Sequence, residues 1–351
     1  MEILNQNQYN EYNAFIAQHE NSEFMQSTMW HNVKNNWNHE VIVSRDDAGK
    51  IVGGMSVLIQ KVPLFNTTFL YAPRGPVCDW SNKQILMDLK SGVDELAKKY
   101  NSYLFKIDPA VDVNDENFKE TMTEMGFTLF AGPDGFETIQ ARFNYKLYLN
   151  GRNEDEVFAD LTQKTRYNIR VALKHNVEVK PVGKEYLDDF IKIMQVTGER
   201  DGFITRNKDY FERMMDSLGE NVRLYIGFYD GKAVSGAITT NFGGKCCYVY
   251  GASDNEHRNV MPNYLMQWEM IKWAIEKNCY VYDFQGVSGD LTDETRPIYG
   301  LYRFKKGFNG QLDEYAGEFD YIYKPFMKKM VDLGVKVNKK LRKIKKSLKH
   351  N

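Results

Sequence analysis

DDAGKIVGGMSVLI occupies residues 46–59, and DGKAVSGAITT occupies residues 230–240. Gly49, Lys50, Val52 and Gly54 of the first stretch recur as Gly231, Lys232, Val234 and Gly236 of the second, at a constant offset of 182. Each stretch follows an apolar run, VIVSR or VRLYIGFY, and leads into another. A Gly-containing pair between two such runs predicts a β-hairpin, because a tight turn requires residues that tolerate positive φ. The parallel continues downstream. TTFLYAPRG (67–75) reads as a strand entering a loop, a helix follows at about 82–100, and YLFKIDP (103–109) is the next strand. CCYVYGAS (246–253), MPNYLMQWEMIKWAIEK (261–277) and YVYDFQGV (280–287) repeat that order, with Pro262 suited to a first helical position. The chain therefore reads as two copies of one α/β unit: hairpin, strand, helix, strand.

The change of pattern near 145–155 sets the expected boundary. Residues 1–147 form one half and 148–316 the other, with 317–351 expected to pack back on the first. DEVFADLTQKTRYNIRVALKH, YLDDFIKIMQVTGERDG and KDYFERMMDSLG predict helices that open the second half, and EYAGEFDYIY (314–323) reads as a closing strand. At 351 residues, 42% hydrophobic and 14% aromatic, the chain can build two such cores.

The net charge of −1 hides an uneven distribution. From Lys324 onward there are eleven Lys and Arg against one acid, Asp332, so this tail carries +10 and the remainder −11. A basic tail on an acidic body points to nucleic acid or an anionic membrane surface, or else to a solvated helix. Met330, Val337, Leu341, Ile344 and Leu348 recur at helical spacing among the lysines, which predicts an amphipathic basic helix. The four cysteines form no CxxC pair and no Cys/His cluster, so neither a metal nor a disulfide is expected. A polar N-terminus and the lack of a long apolar run lead us to expect a cytoplasmic protein without a span. The histidines lack Ser, Cys or Asp partners at triad spacing.

Several residues stand out chemically. Asp108 and Asp283 end the two corresponding strands, at the carboxyl edge where open α/β sheets bind ligands. Asp108 reads equally well as a strand-end cap. In YGLYRFKKGF (299–308), Pro297 just upstream suits a helix start and Gly307 a helix end, so Lys305 and Lys306 fall in the last turn. There they complement the helix dipole, or they hold an anionic substrate. Lys34 lies in MWHNVKNNW, read as a helix with Trp30, Val33 and Trp37 on its apolar side. Arg206 is followed four residues on by Tyr210. Tyr103 and Tyr250 are candidate cleft hydroxyls on aromatic strands. Arg166, Arg170 and Lys174, with Lys164 nearby, line one helix face: a solvated surface or a track for nucleic-acid phosphates.

Strand, loop, helix, strand with a hairpin resembles the GNAT N-acyltransferase fold, and the fold expected is α/β with two tandem GNAT-like domains. GNAT enzymes hold the acyl-CoA pyrophosphate on a Gly-rich loop at a helix N-terminus. Here the corresponding loop SDNEHRNVMPNY (253–264) has no glycine and carries Asp254 and Glu256, which disfavours acyl-CoA. FMQSTMWHNVK, YAPRGPVCDW, IDP, KTRYNIR, YVYGAS and GLYRFKKGFNG, spread over nearly the whole chain, are similar to segments of the Fem family of peptidoglycan bridge aminoacyltransferases. The absence of a heptad hairpin makes it closest to the compact, arm-less FemX type.

The resemblance implies transfer of glycine, alanine or serine from aminoacyl-tRNA to the side-chain amine of a stem pentapeptide, on UDP-MurNAc-pentapeptide or lipid II, without a cofactor. It implies that Lys305 steadies the tetrahedral intermediate or holds the tRNA acceptor end. Phe304 is implied as a backbone donor or stacking face, with Asp108 accepting a proton or orienting the amine. Lys34 is implied as a diphosphate or uridine contact and Arg206 as a nucleotide-diphosphate contact with Tyr210 its neighbour; Trp37, Tyr103 and Tyr250 are read as further substrate contacts. A monomer with peripheral membrane contact through its basic tail is expected. A GNAT-like enzyme using another acyl donor and a non-catalytic tRNA- or membrane-binding protein are the alternatives.

Overall fold

The computed structural model describes residues 1–134, 137–295 and 299–347, with side chains up to residue 337. In the first half the strands are β1 (Glu2–Ile3), β2 (Asn38–Arg45), β3 (Ile51–Lys61), β4 (Thr68–Ala72), β5 (Val77–Cys78), β6 (Ser102–Ile107) and β7 (Thr128–Phe130). The second half supplies β8 (Phe143–Tyr148), β9 (Glu178–Val182), β10 (Val222–Tyr229), β11 (Lys232–Phe242), β12 (Lys245–Ser253), β13 (Val281–Gly286) and β14 (Gln311–Glu314), and β15 (Glu318–Ile322) follows. One sheet runs β1-β2-β3-β4-β6-β15-β7, with β5 beside β3, and the other runs β14-β8-β13-β12-β11-β10-β9.

The duplication is visible strand by strand. The hairpins β2/β3 and β10/β11 are each extended by an antiparallel strand, β4 or β12. That strand lies parallel to β6 or β13. The crossover helices are Lys83–Lys99 and Pro262–Glu276. Asn82 caps the first by accepting from the N–H of Gln84 and Ile85, and Leu86, Leu89, Val93 and Leu96 bury one face at helical spacing. Pro262 occupies the first turn of the second, where a missing N–H costs nothing.

The two hairpin turns differ despite their matching letters. Asp230 and Gly231 both have positive φ (47° and 74°) between the paired residues Tyr229 and Lys232, a two-residue primed turn. The first turn spans residues 46–50, between Arg45 and Ile51. The Asp46 carboxylate organises it by accepting from the N–H of Ala48 (3.0 Å) and Lys50 (2.9 Å).

Three elements depart from the sequence reading. The helix expected over DEVFADLTQKTRYNIRVALKH is two helices, Glu154–Asp160 and Gln163–Lys174. They are separated where Thr162 turns its hydroxyl to the N–H of Thr165 (3.4 Å). The helix carrying Trp30 ends at Val33, so Lys34 is its C-terminal cap and Trp37 lies beyond it. EYAGEFDYIY is not one strand: β14 and β15 lie in different sheets, joined by Tyr315–Gly317. The helix start expected at Pro297 lies outside the described residues, as do the side chains of Leu341, Ile344 and Leu348.

That last break exposes how the halves are joined. β7 is an edge strand of the first sheet, but its successor β8 inserts into the second, between β13 and β14. β14 is the edge of the second sheet, but its successor β15 inserts into the first, between β6 and β7. The halves thus exchange closing strands reciprocally, and the expected boundary at 147/148 cuts through β8. The two crossings are bound together: Tyr315 N–H donates to Arg142 O (2.9 Å) and Arg142 Nε donates to Tyr315 O (3.0 Å). One apolar cluster also spans the junction, with Tyr12, Trp30 and Val33 packed among Phe190, Phe211 and Met214.

Gly317 lies at the crossing, close against β7. Its φ is 127°, and a Cβ there would meet Phe130 O at 2.4 Å. Gly317→Ala is therefore expected to destabilise the fold by about 1–3 kcal/mol from backbone strain alone, seen as a lowered midpoint in thermal unfolding.

Candidate functional site

A first cluster forms where the helix Met29–Val33 packs on the helix Lys208–Leu218 of the other half. Lys34 follows the first helix and Arg206 precedes the second. Lys34 Nζ sits 5.5 Å from the centre of the Tyr210 ring and 5.1 Å from that of Trp30. The Arg206 guanidinium lies 5.2 Å from the Tyr210 ring. The Tyr250 hydroxyl donates to that of Tyr210 (3.1 Å). Burial, reinforced by Arg206, lowers the Lys34 ammonium to a pKa of about 8. Two cations gathered around one tyrosine, with no carboxylate among these contacts, form a pocket suited to an anion.

An aromatic stripe leads away from this pocket. Trp37 meets Phe69 edge-on at 6.1 Å, and Phe69 stacks on Tyr71 at 6.0 Å and leans on Tyr103 at 6.5 Å. The Tyr71 hydroxyl donates to Asp108 Oδ2 (2.6 Å), and Arg74 N–H donates to Asp108 Oδ1 (2.7 Å). Asp108 is 2% exposed. Burial raises its pKa to about 6, although Arg74 and the Tyr71 hydroxyl pull the other way. Each carboxylate oxygen thus accepts one hydrogen bond, one from a side chain and one from backbone.

A second cluster lies at the end of β13. Asp283 accepts from Gln285 N–H (2.6 Å), which bends the chain so that Gln285 takes a φ of 63°. The carbonyls of Gln285 and Gly286 then receive Lys305 Nζ at 3.1 and 2.8 Å. Lys305 is in the last turn of the helix Tyr299–Lys306, as the spacing predicted, yet it is 3% exposed. Its hydrogen bonds go to β13 rather than to its own helix end. Burial lowers its pKa to about 7, against the opposing pull of Asp283. Lys306 instead sits 5.7 Å from the Tyr302 ring. The Phe304 ring makes T-shaped contacts with Tyr264 at 5.0 Å and Phe308 at 5.6 Å.

Residues that the sequence did not single out connect the clusters. Lys146 on β8 is half-buried beside Asp283 and Asp313; desolvation disfavours its charge, but Tyr315 and these carboxylates raise its pKa. Tyr315 stands between Lys146 Nζ at 5.0 Å and the Arg74 guanidinium at 4.8 Å. Arg74 is held in turn by Asp108 O (3.2 Å) and Ala141 O (2.7 Å). A row of charges, bridged by the Tyr315 ring, therefore runs from Asp108 through Arg74, Lys146 and Asp283 to Lys305; all but the half-buried Lys146 are buried. Asp108 and Lys305 share the row without touching. The signal for Lys146 was available, as a lysine alternating with aromatics in FNYKLY, but only the strand exchange gives it partners.

The basic helix face divides. Arg166 Nη1 donates to Ala159 O (2.6 Å) and to Leu161 O, closing the end of the preceding helix, and Arg170 lies 5.4 Å from the Phe158 ring. Those two cations have structural partners. In the loop 253–264, Asp254 accepts from His257 N–H (3.0 Å), so the loop folds around its own carboxylate.

This arrangement has relatives. The FemAB family model matches residues 8–233 and 229–335. A lipid II:glycine glycyltransferase of Staphylococcus aureus is 31% identical over 396 aligned positions, covering 92% of each chain. A crystal structure of FemX superposes with a TM-score of 0.86 at 29% identity, over 94% of this chain and 99% of that one. A tandem GNAT protein from clavulanic acid biosynthesis, at a TM-score of 0.55 and 12% identity over 92% of this chain and 98% of its own, shares the fold. The paired GNAT-like sheets and a family match running through both of them place one conclusion beyond the fold alone: the chain belongs to the FemAB family.

Proposed function

We propose that this protein is an aminoacyltransferase of peptidoglycan bridge formation. It moves an amino acid from aminoacyl-tRNA to the side-chain amine of the stem peptide, without a cofactor. The observation that carries the reading is Lys305: a buried ammonium held by two carbonyls, at the end of a charge row that begins at Asp108. The glycyl transfer named for the Staphylococcus aureus relative favours glycine over alanine or serine, and lipid II over UDP-MurNAc-pentapeptide, as the substrates.

The reaction needs no covalent enzyme intermediate, since the tRNA ester is already activated. The acceptor amine attacks the ester carbonyl, the C–N bond forms, and the negative charge moves to the carbonyl oxygen. Collapse breaks the C–O bond, and the tRNA ribose hydroxyl leaves with the proton lost by the amine. Lys305 has one N–H beyond the two it gives to Gln285 and Gly286, and that N–H steadies the oxyanion or the acceptor end. The Phe304 ring anchors the helical turn that presents Lys305. Asp108 holds the Arg74 loop and is a positioning residue. Lys34 and Arg206, backed by Tyr210 and Tyr250, take the diphosphate of the acceptor. Trp37 and Tyr103 line its path. The basic tail contacts the membrane, and the chain works as a monomer at its inner face.

Mass spectrometry of pentapeptide precursors after incubation with a mixed pool of charged tRNAs tests the reading; products without an added residue refute it. Lys305→Ala is expected to lower kcat about 100-fold or more, the loss typical of a removed oxyanion donor. The ammonium is titrated away as pH rises past about 7, so the wild-type rate falls there. Lys305→Arg, which stays protonated, removes that alkaline limb from a stopped pH–rate series. Asp283 favours the Lys305 cation, so Asp283→Asn moves the limb to lower pH. Arg206→Ala is expected to raise KM for the acceptor about tenfold with a smaller change in kcat, read from initial rates.

A further inference from the structure

The turn Val62–Phe65 joins β3 to β4 and closes with Phe65 N–H donating to Val62 O (3.2 Å). Pro63 takes its second position and Leu64 its third, where φ is 69°. Glycine is the residue that accepts this conformation without strain. Here the position holds a leucine whose side chain is fully exposed. A strained backbone that presents an apolar side chain to water serves no folding purpose.

A second apolar surface stands beside it. The helix Pro325–Ser347 leaves Phe326 (75%), Met330, Leu333 and Val337 exposed, at the i, i+4, i+7, i+11 spacing of one helix face. Asn101 links the two features. Its side chain donates to Asn66 O (2.5 Å), and its carbonyl accepts from Thr67 Oγ1 (2.6 Å) and from Lys324 Nζ (2.8 Å). The cationic side chains of Lys61, Lys98 and Lys329 are exposed around this junction. The N–H groups of Tyr323 and Lys324 donate to the carbonyl of Tyr103, a residue of the aromatic stripe.

We infer that the Val62–Asn66 turn and the C-terminal helix form one bilayer-docking surface, with Leu64 and Phe326 as paired wedges into the acyl boundary of an anionic membrane. The +10 charge from Lys324 onward supplies the complementarity. Among the described residues no helix is long and apolar enough to cross a membrane, which fits attachment to the surface. Nucleic acid would use the lysines and leave Leu64 and Phe326 in water. The inference deepens the reading above by placing the lipid-linked acceptor next to the stripe that begins at Trp37 and Tyr103.

The test is co-sedimentation of the full chain with phosphatidylglycerol/phosphatidylcholine vesicles, a measurement that needs no substrate. Leu64→Asp and Phe326→Asp are each expected to reduce the vesicle-bound fraction about tenfold and leave transfer to detergent-solubilised lipid II unchanged. Leu64→Gly separates docking from folding: it raises the thermal midpoint while weakening vesicle binding. Failure of the full chain to sediment with anionic vesicles overturns the inference, as does wild-type sedimentation by Leu64→Asp. Loss of tRNA binding, with vesicle binding intact, in the two aspartate variants also overturns it. A protein that docks but transfers nothing refutes the proposed function and leaves the docking surface standing.

Discussion

Tyr315 and its two cations sit where the halves trade strands, and the rest of the site depends on that exchange. β8 and β15 each leave the half in which their preceding strand lies. Their crossings run side by side, tied by the paired hydrogen bonds of Arg142 and Tyr315. Neither sheet is complete without a strand connected to the other. The junction is therefore not a contact between two finished domains, of the polar kind that permits relative motion. It is continuous with both cores, as the apolar cluster shared by Trp30 and Phe211 shows.

Continuity of this kind allows charge to be buried. An isolated ammonium or carboxylate taken out of water costs several kcal/mol and is retained only with good partners. Arg74, Asp108, Lys146 and Asp283 meet that requirement jointly, each within reach of a group of opposite sign. Lys245 and Glu23 form a further, half-buried pair across the junction at 3.1 Å. Lys305 differs: its direct partners are carbonyl dipoles, and its carboxylate neighbour Asp283 acts at a distance. It is consequently the member of the row whose charge is held most loosely, a property suited to a group that must answer a charge arising in a substrate.

The same duplication explains why the halves do different work. Asp108 and Asp283 close equivalent strands. In the first half the aspartate turns to Tyr71 and Arg74 and secures a loop. In the second it turns to its own chain at Gln285 and aims two carbonyls at Lys305. The anion pocket takes one cation from each half, Lys34 and Arg206, and belongs to neither alone. One ancestral unit thus supplies a repeated frame, and the differences lie in the segment after each closing strand.

The twin α/β units were legible in the sequence because hairpin turns, crossover helices and strand alternation are local patterns, set by backbone sterics and side-chain periodicity over a dozen residues. Lys305 was legible as a helix-end residue for the same reason, and the absence of a Gly-rich loop spoke against acyl-CoA. Three things were decided only by the tertiary structure. EYAGEFDYIY reads as strand on both sides of Gly317, where the chain bends from one sheet into the other, and no local signal says which sheet a strand will join. Lys146 and Arg74 look like surface cations until the exchange encloses them. Leu64 reads as an ordinary loop residue, and its meaning comes from a positive φ and from a helix more than 250 residues further along the chain. Proximity between distant residues is a property of the packed chain, and burial, which decides charge and reactivity here, follows from it.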